Sequence, residues 1–188
     1  MLQIAFKEWA VICEALAEGK QAIILRKGGI AEDEFGVEHT RFWLYPTYVH
    51  QQNDGINEDA QPLLESVLAN RPPAGKVRLQ LWAEVTSIYR VRDELLALML
   101  PHLHCWSEET VRKRFTYRAP GLFVLAVRVH RVPTPHEIDE SATYAGCKSW
   151  VELTTPLSTE GSTPVVSDDD YHIVLRQLDR LLAPTAFA

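Results

Sequence analysis

The 188-residue sequence has few cysteines, no long apolar run and no excess of positive charge. Cys13, Cys105 and Cys147 are widely spaced and form no CxxC pair, which argues against a disulfide scaffold or a zinc knuckle and favours a reducing compartment. Lys7 and Glu8 interrupt the apolar N-terminus, and no apolar stretch reaches the roughly 18 residues that a membrane span needs. The sequence therefore predicts a soluble, cytoplasmic protein with no membrane partner.

Charge and motifs exclude further classes of function. The formal net charge of −6 argues against a protein that holds long DNA by bulk electrostatics, although a local basic patch remains compatible with it. The sequence contains no GxSxG, HExxH, Walker or GxGxxG motif. His102, His104 and Cys105 are metal-ligand types, but no carboxylate or second cysteine pair completes a set, so whether they bind a metal stays open. No metal, cofactor or reaction is predicted.

What is present can build a substantial core. Hydrophobic residues make up 46% of the chain and aromatic residues 9%, which fits one domain over residues 1–188, with residues 154–188 as a candidate C-terminal appendage of loop and helix. The run over residues 76–91 alternates like a strand, but sixteen residues would span roughly 50 Å if flat. A bent or bulged strand around a small barrel removes that difficulty. The predicted fold is α+β, a small mixed β pseudo-barrel with an N-terminal helix, surrounding short helices and a C-terminal helix.

The predicted elements follow from apolar periodicity and from capping residues. Asn57 and Ser107 each precede an acidic first turn, and Ser167 precedes Asp168, so all three mark helix starts. The pattern also predicts a helix over residues 3–18 and strands over residues 21–26, 41–45, 76–91 and 121–132, with Pro46 and Pro133 as stops.

A candidate binding site lies within residues 19–51, where two strand-like runs end in polar or turn-forming residues. Because both runs end in this way, we expect the strand ends to form one rim of a site, with Arg26, Lys27, Tyr45, His50 and Lys148 on one concave surface. Cations beside aromatic rings suit an unpaired base and its phosphate. The candidate ligand-binding residues are Arg26, Lys27, Gly28, Gly29, Tyr45, Thr47, His50, Gln51, Lys148 and Trp150.

Two functions of different classes fit this rim. In the first, the protein binds RNA or a nucleotide-like ligand in a cleft lined by strand ends. In the second, it is an enzyme acting on a small molecule, in which His50 is the general base and Lys27 or Arg26 holds an anion. The sequence leaves the choice between them, the ligand and the oligomeric state open.

Several sequence blocks resemble domain of unknown function family 1802, bacterial proteins without an assigned activity. The blocks are LRKGGI, FWLYPTYVHQ and YAGCKSWVEL, in that order, and the resemblance covers roughly residues 4–180. The name of the family implies no function.

A more distant resemblance is to ASCH domains, which have the PUA-like fold. It rests on a helix followed by Gly19-Lys20 and a strand ending in Arg26, and on the closing segment over residues 146–153. It implies a small pseudo-barrel with a cleft for RNA or a modified nucleoside. The ASCH signature Gly-x-Lys-x-x-Glu-x-Arg is not matched, because the lysine falls one place early and Ile24 occupies the glutamate position. Hydrolase activity is therefore not implied.

Overall fold

The computed structural model describes residues 1–27, 39–49, 51, 53–146 and 148–182. These residues form one mixed β-sheet with five α-helices, and the predicted α+β class is confirmed. The strands are β1 (Leu2–Trp9), β2 (Ile23–Arg26), β3 (Arg41–Thr47), β4 (Lys76–Val91), β5 (Leu122–Asp139), β6 (Trp150–Leu157) and β7 (Thr163–Pro164). The helices are α1 (Ala10–Ala17), α2 (Gln61–Ala69), α3 (Glu94–Leu98), α4 (Glu108–Thr116) and α5 (Asp168–Leu182).

The sheet is mixed and does not close into a complete barrel. Its strand order is β2-β5-β4-β3-β1-β6, and β7 pairs with β5. The β1–β3 pair is parallel and the other pairs are antiparallel. Strand β1 therefore lies inside the sheet, between β3 and β6, and holds the opening residues of the chain in the core.

The predicted helix over residues 3–18 is wrong in its first half. Residues 2–9 form β1, and only Ala10–Ala17 are helical. Ala5 and Phe6 are fully buried, because β1 has paired strands on both sides and side chains packed on both faces. Apolar residues at this spacing fit either a helix or a strand, and the pairing of residues 2–9 with β3 and β6 stabilises the strand.

The bent long strand predicted over residues 76–91 is confirmed as β4. Its pairing with β5 shifts register between Leu79, opposite His136, and Leu81, opposite Arg131, and again between Val85 and Ser87. The first shift leaves residues 132–135 of β5 without a partner on β4. Pro133 and the second proline of this segment lie there, so their missing N–H groups cost the β4–β5 ladder no hydrogen bond.

The strand ends predicted at the prolines are therefore wrong. Strand β5 continues to Asp139, and β3 continues past Pro46 to Thr47. Pairing of β3 with β4 stops at Trp43, which leaves Pro46 paired only with β1. In both places proline is tolerated because the ladder has already changed or ended there.

The first register shift also divides the core. Leu81 belongs to the main hydrophobic cluster, and Leu79 belongs to a smaller one built around Trp43 and Tyr45. Helix α5 contributes Leu178, which is fully buried in the main cluster. None of the described helices is both long enough and apolar enough to cross a membrane.

Candidate functional site

A cleft of about 510 Å³ opens beside the ends of β1 and β3. Its other walls come from two segments, residues 71 and 73–75 before β4 and residues 140, 144–146, 148 and 149 between β5 and β6. Four aromatic and four basic side chains line it, with one carboxylate, Glu140. The aromatic residues are Trp9, Tyr45, Tyr48 and Tyr144, and the basic residues are Lys7, Arg71, Lys76 and Lys148. We call this the aromatic cleft.

Tyr45 forms part of the wall of the aromatic cleft. The residue is 3% exposed, and its ring meets that of Tyr144 edge-on with centroids 6.0 Å apart. Its hydroxyl has no hydrogen-bond partner among the described residues. Burial, with a smaller effect of Glu140, raises the pKa of Tyr45 to about 12. The phenol is therefore neutral at pH 7 and can donate a hydrogen bond to a ligand.

The four cations of the cleft differ in the hydrogen bonds and ion pairs that they form with the protein, and two of them are engaged in this way. Lys7 donates to the carbonyl oxygens of Tyr144 and Gly146, and Lys76 forms an ion pair with Asp139 at 2.6 Å.

The other two cations, Arg71 and Lys148, make fewer polar contacts with the protein. The guanidinium of Arg71 lies 4.7 Å from the ring centroid of Tyr48. Neither Arg71 nor Lys148 forms a hydrogen bond or ion pair with any other residue that the structure describes, and both are exposed. These two charges can be offered to an anionic ligand.

A second group of polar residues lies in the protein interior, and we call it the charged cluster: Glu8, Arg26, His104, Trp106 and Arg114. Glu8 is 6% exposed, and its Oε1 accepts a hydrogen bond from its neighbour's backbone N–H at 2.8 Å. Burial raises the pKa of Glu8, although the positive charges of Arg114 and Arg26 oppose that shift. Burial likewise lowers the pKa of Arg26 and of Arg114. The cluster holds two desolvated guanidinium groups beside one carboxyl group.

His104 and Trp106 form the other side of the charged cluster. His104 is 4% exposed, and its Nδ1 accepts a hydrogen bond from the backbone N–H of Trp106 at 3.2 Å. Burial, reinforced by the charge of Arg114, lowers the pKa of His104 to about 4. The ring is therefore neutral at pH 7 and carries its proton on Nε2. The guanidinium of Arg114 lies 3.6 Å from the centroid of the Trp106 ring.

The residues predicted for one rim are distributed over several places. Tyr45, Thr47 and Lys148 line the aromatic cleft, and Thr47 Oγ1 donates to the carbonyl of Glu8 at 3.0 Å. Arg26 belongs to the charged cluster and does not line the cleft, so these members of the predicted rim do not share one surface.

Three further predicted residues make internal contacts. Lys27 Nζ donates to three backbone carbonyls at the end of α4 and beyond it. Gln51 Oε1 accepts from the N–H of Val11 at 2.8 Å. Trp150 packs against Phe6 with centroids 4.8 Å apart. Gly28, Gly29 and His50 lie outside the described residues.

Sequence reasoning missed Arg71, Lys7 and the residues that accompany Arg26 in the interior. The signal for Arg71 is its place before two prolines, which hold a cation at a rigid position. Within the described part of the chain, no group of three or more His, Cys, Asp or Glu side chains could hold a metal ion.

Comparison with solved structures gives ASCH proteins from Zymomonas mobilis. A serine-to-alanine variant shares 12% identity over 93% of this chain and 94% of its own, with a TM-score of 0.48. An ASCH crystal structure from the same organism shares 15% identity over 80% of this chain and 86% of its own, with a TM-score of 0.46. No curated protein matches the chain significantly. The family model for the domain of unknown function DUF1802 matches residues 5–177, and this protein belongs to that family.

Proposed function

We propose that the protein binds single-stranded RNA or a nucleotide-like ligand in the aromatic cleft. The observation that carries the proposal is the meeting of four aromatic rings and two unpaired cations in one cleft of about 510 Å³. A volume of this order suits a small ligand or a short segment of a polynucleotide.

Each group of residues has a role in this proposal. Arg71 and Lys148 contact phosphate, and the rings offer faces or edges to unpaired bases. Stacking of a base on an aromatic side chain contributes about 1–3 kcal/mol. The hydroxyl of Tyr45, which has no hydrogen-bond partner among the residues that the structure describes, donates to a polar atom of the ligand. Duplex DNA binds less well because its bases are not available for stacking.

The net charge limits the electrostatic part of the affinity. With −6 on the whole chain, phosphate contacts are confined to the cleft. Two such contacts give a slope of about −1.4 for log K against log salt on single strands. We therefore expect weak dependence on salt and a large contribution from stacking.

The test is a titration of the protein with a short RNA, matched single- and double-stranded DNA, and free nucleotides, each at two salt concentrations. Arg71→Ala and Lys148→Ala should each lower the affinity several-fold without changing the unfolding temperature, because both side chains are exposed. Lys20→Ala is the matched control, since Lys20 is exposed, is paired with Glu18 at 2.8 Å and lies outside the cleft. Failure of every ligand to bind at millimolar concentration would overturn the proposal.

The alternative hypothesis is an enzyme with His50 as general base. It stays a prediction because His50 lies outside the described residues. The anion-holding role for Lys27 in that hypothesis competes with its present hydrogen bonds to three carbonyls.

A further inference from the structure

Five buried side-chain polar atoms have no hydrogen-bond partner among the described residues. One is the Tyr45 hydroxyl in the aromatic cleft. The other four are all nitrogen atoms: Arg26 Nε, Gln51 Nε2, His104 Nε2 and Trp106 Nε1. Buried polar groups in folded proteins are nearly always paired, and each unpaired one destabilises the fold. These four nitrogens lack a partner within the part of the chain that the structure describes, and a bound ligand would supply one.

Three of these four nitrogens belong to residues that interact with Arg114, namely Arg26, His104 and Trp106. The guanidinium of Arg114 lies over the ring of Trp106, and His104 is bonded to the backbone N–H of Trp106. The positive charge of Arg114 also acts on Glu8, as does that of Arg26. Arg26 and Arg114 are therefore both close enough to Glu8 for their charges to act on the same carboxyl group.

Gln51 joins the same region through the start of α1. Its Oε1 accepts from the N–H of Val11, two residues beyond Trp9, whose N–H donates to Glu8. The Trp9 ring packs edge-on against Trp106, with centroids 4.8 Å apart. Gln51 is thus connected to the charged cluster through the backbone over residues 9–11.

All four unpaired nitrogens are hydrogen-bond donors. The arginine Nε and the indole Nε1 always carry a proton. Gln51 uses its oxygen as the acceptor for Val11, which leaves its NH₂ group unpaired. His104 accepts at Nδ1, so its neutral ring carries the proton at Nε2. Among the described residues of the cluster, two guanidinium groups face the one carboxyl group of Glu8, so donors and positive charge are in excess there.

We propose that the charged cluster is a second ligand site, which binds the carboxylate or phosphate group of a small molecule through these unpaired donors. Oxygen atoms of either anion accept several hydrogen bonds at once and balance the excess positive charge. The site lies apart from the aromatic cleft, which none of the charged cluster's residues lines, and it requires no nucleic acid. Glu8 limits the affinity through repulsion between its carboxylate and the bound anion.

Two isosteric substitutions test the proposal in opposite directions. Glu8→Gln keeps an oxygen acceptor for the Trp9 N–H and removes the negative charge, so it should strengthen anion binding several-fold. Gln51→Glu keeps the acceptor for Val11 and replaces the unpaired NH₂ group by a negatively charged oxygen. It should raise the unfolding temperature of the ligand-free protein and abolish its response to added anion.

The measurement is thermal unfolding at pH 7 in sodium phosphate, sodium acetate and sodium chloride at equal ionic strength. We expect phosphate or acetate to raise the unfolding temperature of the wild type above its value in chloride, and the anion that does so identifies the ligand class. A wild type that responds to neither anion would overturn the proposal, and so would a Gln51→Glu variant that responds as the wild type does.

The doubly substituted Arg71→Ala/Lys148→Ala protein separates the two sites. It should keep the full response to the anion, because neither residue belongs to the charged cluster. Loss of the response in this protein would place the anion in the aromatic cleft and refute the second site. An NMR spectrum gives a direct readout: the indole N–H signal of Trp106, assigned with Trp106→Phe, should shift on addition of the anion, and an unmoved signal counts against the proposal.

Discussion

His104 is a single residue whose burial should control the response of the protein to acid. Its folded-state pKa of about 4 lies below the ordinary value of 6.5. The unfolded chain therefore binds a proton over this interval and the folded chain does not, so stability is lost as the pH falls from 6.5 towards 4. For a side chain only 4% exposed, the loss should be about 3 kcal/mol.

The corresponding prediction concerns His104→Asn. The Asn oxygen can replace Nδ1 as acceptor for the Trp106 N–H, and the variant has no imidazole to titrate. Urea unfolding at pH 7 and at pH 4 should show the wild type losing about 3 kcal/mol more than the variant. His102→Asn, at an exposed position two residues away, is the control and should behave as the wild type. Equal losses in all three proteins would show that His104 does not titrate in this interval.

At the scale of elements, Lys27 connects the end of β2 to the end of α4. Its ammonium group donates to the carbonyls of Phe115, Ala119 and Gly121, and a cation near a helix C-terminus also complements the helix dipole. The segment after α4 contains Arg118 at φ 64°, an uncommon conformation for a residue with a side chain. Lys27 thus helps to hold an irregular segment in place.

Replacing Lys27 by Met should therefore destabilise the fold. Methionine keeps most of the side-chain volume but leaves the three carbonyls without this donor, and we expect the free energy of unfolding to fall by about 2 kcal/mol in urea titrations. Lys113→Met removes only an exposed ion pair with Glu109 and should leave the free energy of unfolding almost unchanged. A Lys27 variant as stable as the wild type would leave that residue free for a ligand.

Sequence patterns predicted the elements whose signals are local. Asn57 and Ser107 accept hydrogen bonds from Ala60 N and Thr110 N, as their positions before acidic turns indicated. Strand β4 has the predicted limits. Strand β1 could not be predicted in this way, because its conformation depends on pairing with β3 and β6, which come far later in the chain.

The candidate site likewise contains residues that local sequence signals predicted and residues that only the folded structure brings together. Tyr45, Thr47 and Lys148 follow or end strand-like runs, which drew attention to them, and they line one cleft. Glu8 and Arg114 come from β1 and α4 and lie 106 positions apart in the sequence. Only the folded sheet brings their charges together, so no spacing rule could have indicated the charged cluster.

At the scale of the whole molecule, we expect α5 to unfold together with the rest of the chain, as a single domain over residues 1–188 should. Leu178 is fully buried in the main core, and Asp179 accepts a hydrogen bond from Tyr89 of β4 at 2.9 Å. We expect Leu178→Ala to lower the free energy of unfolding by about 2–5 kcal/mol.

The test compares two probes of unfolding, tryptophan fluorescence and far-UV circular dichroism. None of the five tryptophans lies in α5, so fluorescence reports on the remainder of the chain. Both midpoints should move together in Leu178→Ala. A dichroism change that precedes an unaltered fluorescence transition would instead identify residues 154–188 as an appendage.

The ring of Trp9 borders both proposed sites: it lines the aromatic cleft and packs against Trp106 of the charged cluster. Its outer edge also fits closely against Gly55, where an added Cβ atom would come within 2.6 Å. Because the ring has so little room, a displacement of the ring by a ligand in one site would also change its position in the other site. Occupation of the interior by an anion would then change the affinity of the cleft for its ligand, and thermodynamic reciprocity requires the cleft ligand to change the affinity for the anion by the same factor.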